Sequence, residues 1–456
     1  MSNNKNNLQL VQRLQEFSIP LIAGVIVALV CANLNFSLYE GLVHKPFYEL
    51  GSLFSEHAPL TDATDTAHSA TVTHQTALVA HDQSEPATGS HGGGHESPWA
   101  HFLTMHFLVN DIFMVFFFGI AAKEITEACL PGGSLNPIRK AINPLFGTLG
   151  GVLGPAAVYL LLNAVMGRPE WSKGWGIPTA TDIALAWLVA RFLFGKGHAA
   201  VSFLLLLAVA DDGIGLGIIA VAYPDPAHPT VWSNAIWIVP GMLAAFGLRM
   251  MKVQNWVTYI AAGGSLCWWG LYSAHLHPAL ALVFVVPFLP GPKRDMGLFV
   301  DDETPTHHHS PLEQFEHSIK LGVDFGLFFF AFANAGVPFS GITELTWIVL
   351  AALVVGKTIG IVSFSLLAQK FGFPLPEGMN NRHLAIAASV AGIGLTVSLF
   401  VSGQAFSDTA TQGAAKMGAL FSVCAPLLAV VLGKVVADQP GFALSLPWKT
   451  RRSTAN

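Results

Sequence analysis

Two aspartates, Asp211 and Asp212, stand side by side in the run LLLLAVADDGIGLGIIAV, far from any other charge along the chain. Lys357 is equally isolated in LVVGKTIGIVSF, and Asp182 follows the polar run Thr179-Ala180-Thr181 in GWGIPTATDIALAWLVARF. Acids and a base kept in apolar surroundings need partners, because an unpaired charge there is costly. A carboxylate beside a buried ammonium can hold a proton or a small metal cation in turn. Competition between the two on one carboxylate is the chemistry of cation–proton exchange. Consecutive helical residues point about 100° apart, so Asp211 and Asp212 cannot easily share one partner. One can face the lysine while the other faces a water-filled funnel. Gly213, Gly215 and Gly217 behind them are expected to admit a close neighbouring backbone.

The elements that must position these residues are set by composition. Of 456 residues, 52% are hydrophobic and 11% charged, whereas a soluble domain carries about 25% charged residues. So few charges cannot clothe a water-facing surface, and lipid is the solvent that fits. The net charge of -5 argues against a nucleic-acid partner. Cys31, Cys129, Cys267 and Cys424 are scattered, without metal-ligand spacing, and read as small apolar residues.

Apolar stretches of about 20 residues, enough to cross a bilayer, predict an all-α polytopic protein of about twelve transmembrane helices. Their approximate limits are 18–38, 99–122, 142–166, 175–194, 198–223, 231–250, 255–273, 276–290, 318–338, 345–368, 383–406 and 414–436. The first is as long as a bilayer is thick and reads as a true span rather than a removable signal. The eighth is short, as if tilted or half-covered by its neighbours. Threaded from a cytoplasmic start, these spans put eighteen lysines and arginines on the side of both termini. Lys45, Arg168, Lys173 and Lys416 fall opposite, and Lys357 lies mid-span. That asymmetry predicts both termini inside. One transmembrane domain over 1–456 then carries an outward loop at 39–98, an inward loop at 291–317 and a cytoplasmic tail at 437–456. The outward loop holds His57, His68, His74, His81, His91 and His95, and the inward one His307, His308 and His309. Their irregular spacing in polar sequence reads as solvated linker rather than a metal site or pH sensor.

Charges within spans need reasons, since each costs at least ~2.5–3.5 kcal/mol. Besides Asp182, Asp211, Asp212 and Lys357, Asp111 lies mid-span in the second stretch, Glu124 at its inner end, and Asp324 in the ninth. Two spans also carry breaks. Pro178 and the Thr179–Thr181 run interrupt the fourth, and Gly392 and Gly394 interrupt the eleventh, HLAIAASVAGIGLTVSLFVSG. Irregular backbone at this depth is tolerated only where it lines a cavity or is covered by protein. Paired breaks in the two halves point to a midplane ion site. Where half-helices meet, Asp182 can neutralise the positive N-terminal ends and Lys357 the negative C-terminal ends.

Several motifs together resemble the NhaA-type sodium/proton antiporters over residues 99 to 436. They are IPTATDIA, LAVADDGIG, FAFANAGV around Asn334, GKTIGI, LPEGMN with AGIGLTVSLFV, VNDIFMVFFF near Asp111, and HPALA after His277. The resemblance implies an inverted-repeat fold with the fourth and eleventh spans unwound and crossing. It implies that Asp212 and Asp211 form the Na+ (or Li+) and proton site, that Lys357 pairs with Asp211, and that Asp182 and Thr181 support the crossing. It further implies a homodimer in the bacterial inner membrane that exchanges electrogenically, serves pH and sodium homeostasis, and needs no cofactor.

The sequence departs from the family in two places. Glu124-Ile125-Thr126-Glu127 stands where the family follows its glutamate with a basic pair, so Glu124 and Glu127 make an acidic funnel mouth that alters the expected pH response. The long histidine-rich loop replaces a short connection at the expected dimer contact, and Asp324 is an extra acid without an assigned role. A sodium-coupled symporter would share the crossed helices but needs substrate-binding polar groups that are not found. An intramembrane aspartyl protease needs carboxylates facing across one water, which adjacent helical positions do not give, and it has no use for Lys357.

Overall fold

A computed structural model describes residues 18–50, 101–136, 138–195, 197–224, 229–292 and 310–427. The six outer-loop histidines, His307 to His309 and the tail lie outside the described residues. Within them the regular elements are helices and no strand occurs, apart from an isolated bridge between Pro46 and Thr104.

In chain order the helices are α1 Ile19–Leu34, α2 Phe36–His44, α3 Met105–Ala128 and α4 Ile138–Met166. A 3-10 helix, Pro169–Thr179, precedes α5 Ile183–Phe194 and α6 Ala199–Ala222. Then follow α7 Ile238–Met250, α8 over 256–273, α9 Pro311–Ala335, α10 Glu344–Lys370, α11 Asn381–Val390, α12 Thr396–Ala405 and α13 Thr409–Phe421. Among the described residues α3, α4, α6, α9 and α10 are each long and apolar enough to cross a membrane. The 3-10 helix and α5 add a sixth crossing if taken as one bent span. Large apolar side chains stay uncovered on the outside of the bundle, among them Leu34, Ile138, Val165, Val221 and Ile236. A water-facing surface seldom shows so much exposed hydrocarbon; this is an integral membrane protein.

Several boundaries depart from the sequence reading. Residues 36–44, expected partly in the outward loop, form α2, whose N-terminus the Asn35 side chain caps. The second stretch runs to Ala128, so Glu124 and Glu127 sit on the last turns of α3 rather than beyond it. The inward loop ends seven residues early. Ser310 and Glu313 close a capping box that starts α9 at Pro311. The eighth stretch is two short 3-10 helices, Pro278–Phe284 and Val286–Phe288, buried against α3 and α8.

The packing around the site rests on glycine. A Cβ on Gly360 of α10 would run into the Gly150 carbonyl oxygen of α4, and one on Gly154 into the Gly356 backbone. Close backbone approach of this kind is how membrane helices pack when Cβ atoms are absent. It seats Lys357, one residue after Gly356, against α4. Just before it, Ala352–Gly356 widens into a π-helical turn, a distortion frequent at functional sites.

Candidate functional site

A tight turn with Gly195 and Gly197 both at positive φ joins α5 to α6. Thr181 and Asp182 precede that turn by nearly as many residues as Asp211 follows it, so the hairpin brings them to one depth. There the chain is twice interrupted. The 3-10 helix stops at Thr179 and α5 starts at Ile183 with a bend of 55°. Likewise α11 stops at Val390 and α12 starts at Thr396. The two irregular stretches touch: the Asp182 N–H donates to the Ile393 carbonyl at 2.7 Å.

Gly392 and Gly394 make room for this contact. A Cβ on Gly392 would lie 2.9 Å from the Leu353 oxygen, and one on Gly394 would lie 2.9 Å from the Ala180 oxygen. Asp182 serves both helix starts. Its Oδ1 accepts from Leu185 N at 3.1 Å, and its Oδ2 accepts from Thr396 N at 3.3 Å. One carboxylate thus satisfies first-turn donors of α5 and α12 and faces both positive dipole ends.

The C-terminal end of the 3-10 helix meets a cation. Lys357 Nζ donates to the carbonyl of Thr179, the last residue of the 3-10 helix, and to Asp211 Oδ2 at 2.7 Å. The same Oδ2 accepts from Thr181 Oγ1 at 2.7 Å, with the Ala391 carbonyl of the other interrupted stretch 3.2 Å from that hydroxyl. Lys357 is 0% exposed and Asp211 1%.

Asp212 points elsewhere, as its position one residue along the helix requires. It lines a small cavity with Phe118, Ala121, Ala180, Gly215 and Val397. Among the described residues neither Asp211 Oδ1 nor Asp212 Oδ1 accepts a hydrogen bond, though both oxygens are buried. Two carboxylates on one side of the crossing thus keep acceptor capacity for a cation. The glycines behind them do a different job from the one expected. No backbone approaches Gly215 or Gly217, where a Cβ would meet nothing within 4 Å, and Gly213 faces the Ile125 side chain. Gly215 leaves space beside Asp212 instead of admitting a helix, and Gly217 lies exposed on the outer face of α6.

Glu124 and Glu127 belong to a charge cluster that the sequence reading did not assemble. Lys123, counted there among the basic residues on the side of the termini, is 4% exposed. Its ammonium lies 3.4 Å from Glu124, 2.6 Å from Glu127, and closer still to Glu316 of α9, which also pairs with Lys320 at 3.1 Å. The mouth is therefore internally compensated rather than simply acidic. The signals that mark it are Lys123 four residues before Glu127 and Glu316 four before Lys320.

The remaining candidates stand apart from Asp211 and Asp212. Asn334 donates to Asn110 Oδ1 and to the Phe330 carbonyl, both at 3.0 Å. Asp111 lies in the π-helical turn Leu108–Phe113, its carbonyl 3.4 Å from Trp268 Nε1. Asp324 is half-buried on α9.

Comparison with known proteins gives the family of the chain. The family model described as "Na+/H+ antiporter 1" matches residues 87–436. The chain is 53% identical over 437 residues to a Na(+)/H(+) antiporter NhaA of Desulfitobacterium hafniense, covering 96% of this chain and 97% of that protein. It is 52% identical over 423 residues to Na(+)/H(+) antiporter NhaA 2 of Pelobacter propionicus, covering 93% and 97%. With a counterpart in Geobacter sulfurreducens the identity is 51% over 430 residues. The chain belongs to the Na+/H+ antiporter 1 family.

Proposed function

We propose that this chain exchanges Na+ for H+ across a bacterial inner membrane, with Asp211 and Asp212 as the carboxylates over which the ions compete. One observation carries the reading: Asp211 is held by Lys357 and Thr181 while Asp212, next to it, turns to a cavity with a carboxylate oxygen still unengaged. A cation entering from the end of the bundle that bears Glu124 meets Asp212 first. Its positive charge weakens the hold of Asp211 on the Lys357 ammonium and releases protons from the site. The loaded and the protonated site then cross by alternating access, in opposite directions.

The interrupted helices explain how such a site survives at membrane depth. They are read as the unwound crossing of an inverted-repeat fold of about twelve spans. Their N-terminal ends are neutralised by Asp182, and Lys357 balances the C-terminal end at Thr179. Moving that crossing changes which side reaches Asp212 while the caps move with it. Two carboxylates and a lysine at one site can release more than one proton per cation, so exchange is electrogenic. Li+, a smaller ion of the same charge, is the alternative cargo. Both termini lie in the cytoplasm by the charge asymmetry of the loops, and two copies form the working dimer.

Inverted vesicles test the reading. Adding Na+ to acid-loaded vesicles should dissipate the proton gradient with the wild-type chain and not with Asp212→Asn. Full activity in that variant would remove Asp212 from its role. A Na+ flux with no opposing proton flux would sink the exchange itself.

A further inference from the structure

The half-span that ends at Thr179 is a 3-10 helix of 11 residues, Pro169–Thr179. Runs longer than about 3–4 residues are uncommon, because the internal hydrogen bonds of this helix are poorly shaped. Part of what holds this one lies outside it, since side chains of four different helices bond to its carbonyls. Tyr159 of α4 donates to the Trp171 carbonyl at 2.7 Å, and Ser398 of α12 to the Ile177 carbonyl at 2.6 Å. Lys357 of α10 donates to the Thr179 carbonyl. The fourth side chain, Tyr223 at the C-cap of α6, makes a contact of a different kind.

Tyr223 is buried, and its hydroxyl donates to the Lys173 carbonyl at 2.7 Å while accepting from the Gly176 N–H at 2.7 Å. Those two backbone groups stand three residues apart, the pair that a 3-10 turn joins directly. A phenol oxygen therefore bridges one rung of the half-span. Gly176 gives it room, since a Cβ there would lie 2.6 Å from that oxygen. A side chain inserted into a helical ladder changes the course of the axis beyond it. Just beyond this rung come the Thr179 carbonyl, which shares the Lys357 ammonium, and Thr181, whose hydroxyl serves Asp211.

We infer that Tyr223 is a positioning residue for the ion site. By bridging the rung between Lys173 and Gly176, its hydroxyl fixes where the half-span ends, and so where Thr179 and Thr181 stand against Lys357 and Asp211. It acts from a distance. Eleven residues separate Tyr223 from Asp212 along α6, roughly 16 Å at 1.5 Å per residue, so it touches neither the carboxylates nor a cation between them. Without the hydroxyl the rung closes on itself and the end of the half-span is drawn back along its axis. The ammonium then loses its backbone acceptor and Asp211 its threonine, the two contacts that hold the pair while a cation competes for the site. That the competing cation is Na+ rests on the exchange reading.

Tyr223→Phe removes one oxygen and keeps the ring. In inverted vesicles at one fixed pH its KM for Na+ should rise on the order of fivefold, the factor that about 1 kcal/mol of lost binding gives, while kcat stays near the wild-type value. A merely structural loss would lower the amount of working protein and leave KM in place. Tyr159→Phe is the control. It deletes an equally short hydroxyl–carbonyl bond that bridges no rung, and KM should not change. Gly176→Ala pushes the phenol out of the rung with its hydroxyl intact. It should raise KM as Tyr223→Phe does, and it decides the matter if that variant fails to fold. A wild-type KM in folded Tyr223→Phe or Gly176→Ala overturns the inference, as does an equal rise in Tyr159→Phe. A wild-type chain without Na+-driven proton flux would sink the exchange reading instead, so the two failures are told apart.

Discussion

Lys357 and Asp211 face each other with no exposed side-chain surface, so removing one partner isolates the other. Lys357→Met should lose about 3–5 kcal/mol, the usual penalty for leaving one half of a buried pair. Lys357→Met combined with Asp211→Asn should lose distinctly less, because no uncompensated charge remains. Thermal unfolding in detergent measures both, and a double variant as unstable as the sum of the singles would show that the pair is not a coupled unit. These two residues were legible in the sequence because each is a charge set in a long apolar stretch. The Thr179 carbonyl that shares the ammonium was not. A backbone acceptor has no residue type, and only the break at Thr179 hints that a carbonyl there lacks a helical partner. The second duty of Asp182 was only half legible. A carboxylate before Ile183 reads as a cap for its own helix, whereas Thr396 N, 214 positions away, is brought to it by the fold.

The elements hold the site by contrasting uses of glycine. Between α4 and α10 the glycines permit backbone contact, and a Cβ on Gly360 would strike the Gly150 carbonyl, which has no rotamer to escape into. Gly360→Ala should therefore destabilise by about 1–3 kcal/mol, as overpacking does, and should slow exchange because Lys357 sits on the displaced face. Gly217 borders open space, so Gly217→Ala should stay within about 0.5 kcal/mol of wild type or gain slightly from helix propensity. Parallel melting curves and Na+-driven proton flux would check the contrast, and equal effects would break it. The sequence offered Gly213, Gly215 and Gly217 as places for close packing, and no reading of the glycines between α4 and α10. It could not tell a glycine that admits a helix from one that leaves a hollow, because that depends on which element arrives opposite. The interruptions themselves were readable, since Pro178 and the Gly392–Gly394 pair stand inside otherwise continuous apolar stretches.

At the scale of the whole molecule, the Lys123 charge cluster marks one end of the bundle, and the proposed orientation, read from the distribution of basic residues, puts that end in the cytoplasm. Lys123 is one of the eighteen basic residues on the side of the termini, and it is buried among Glu124, Glu127 and Glu316. Taking it out of the count leaves seventeen basic residues inside against four outside, so the orientation stands without it. Cys129 gives a direct check. It is exposed at the C-cap of α3, beyond the Lys123 cluster, and so belongs to the end proposed to be cytoplasmic. A charged thiol reagent that cannot cross lipid should modify Cys129 in inverted vesicles and leave it untouched in intact cells, with Cys129→Ser accounting for the difference. Modification from the outside would turn the molecule over. The Lys123 cluster would then line the outer mouth.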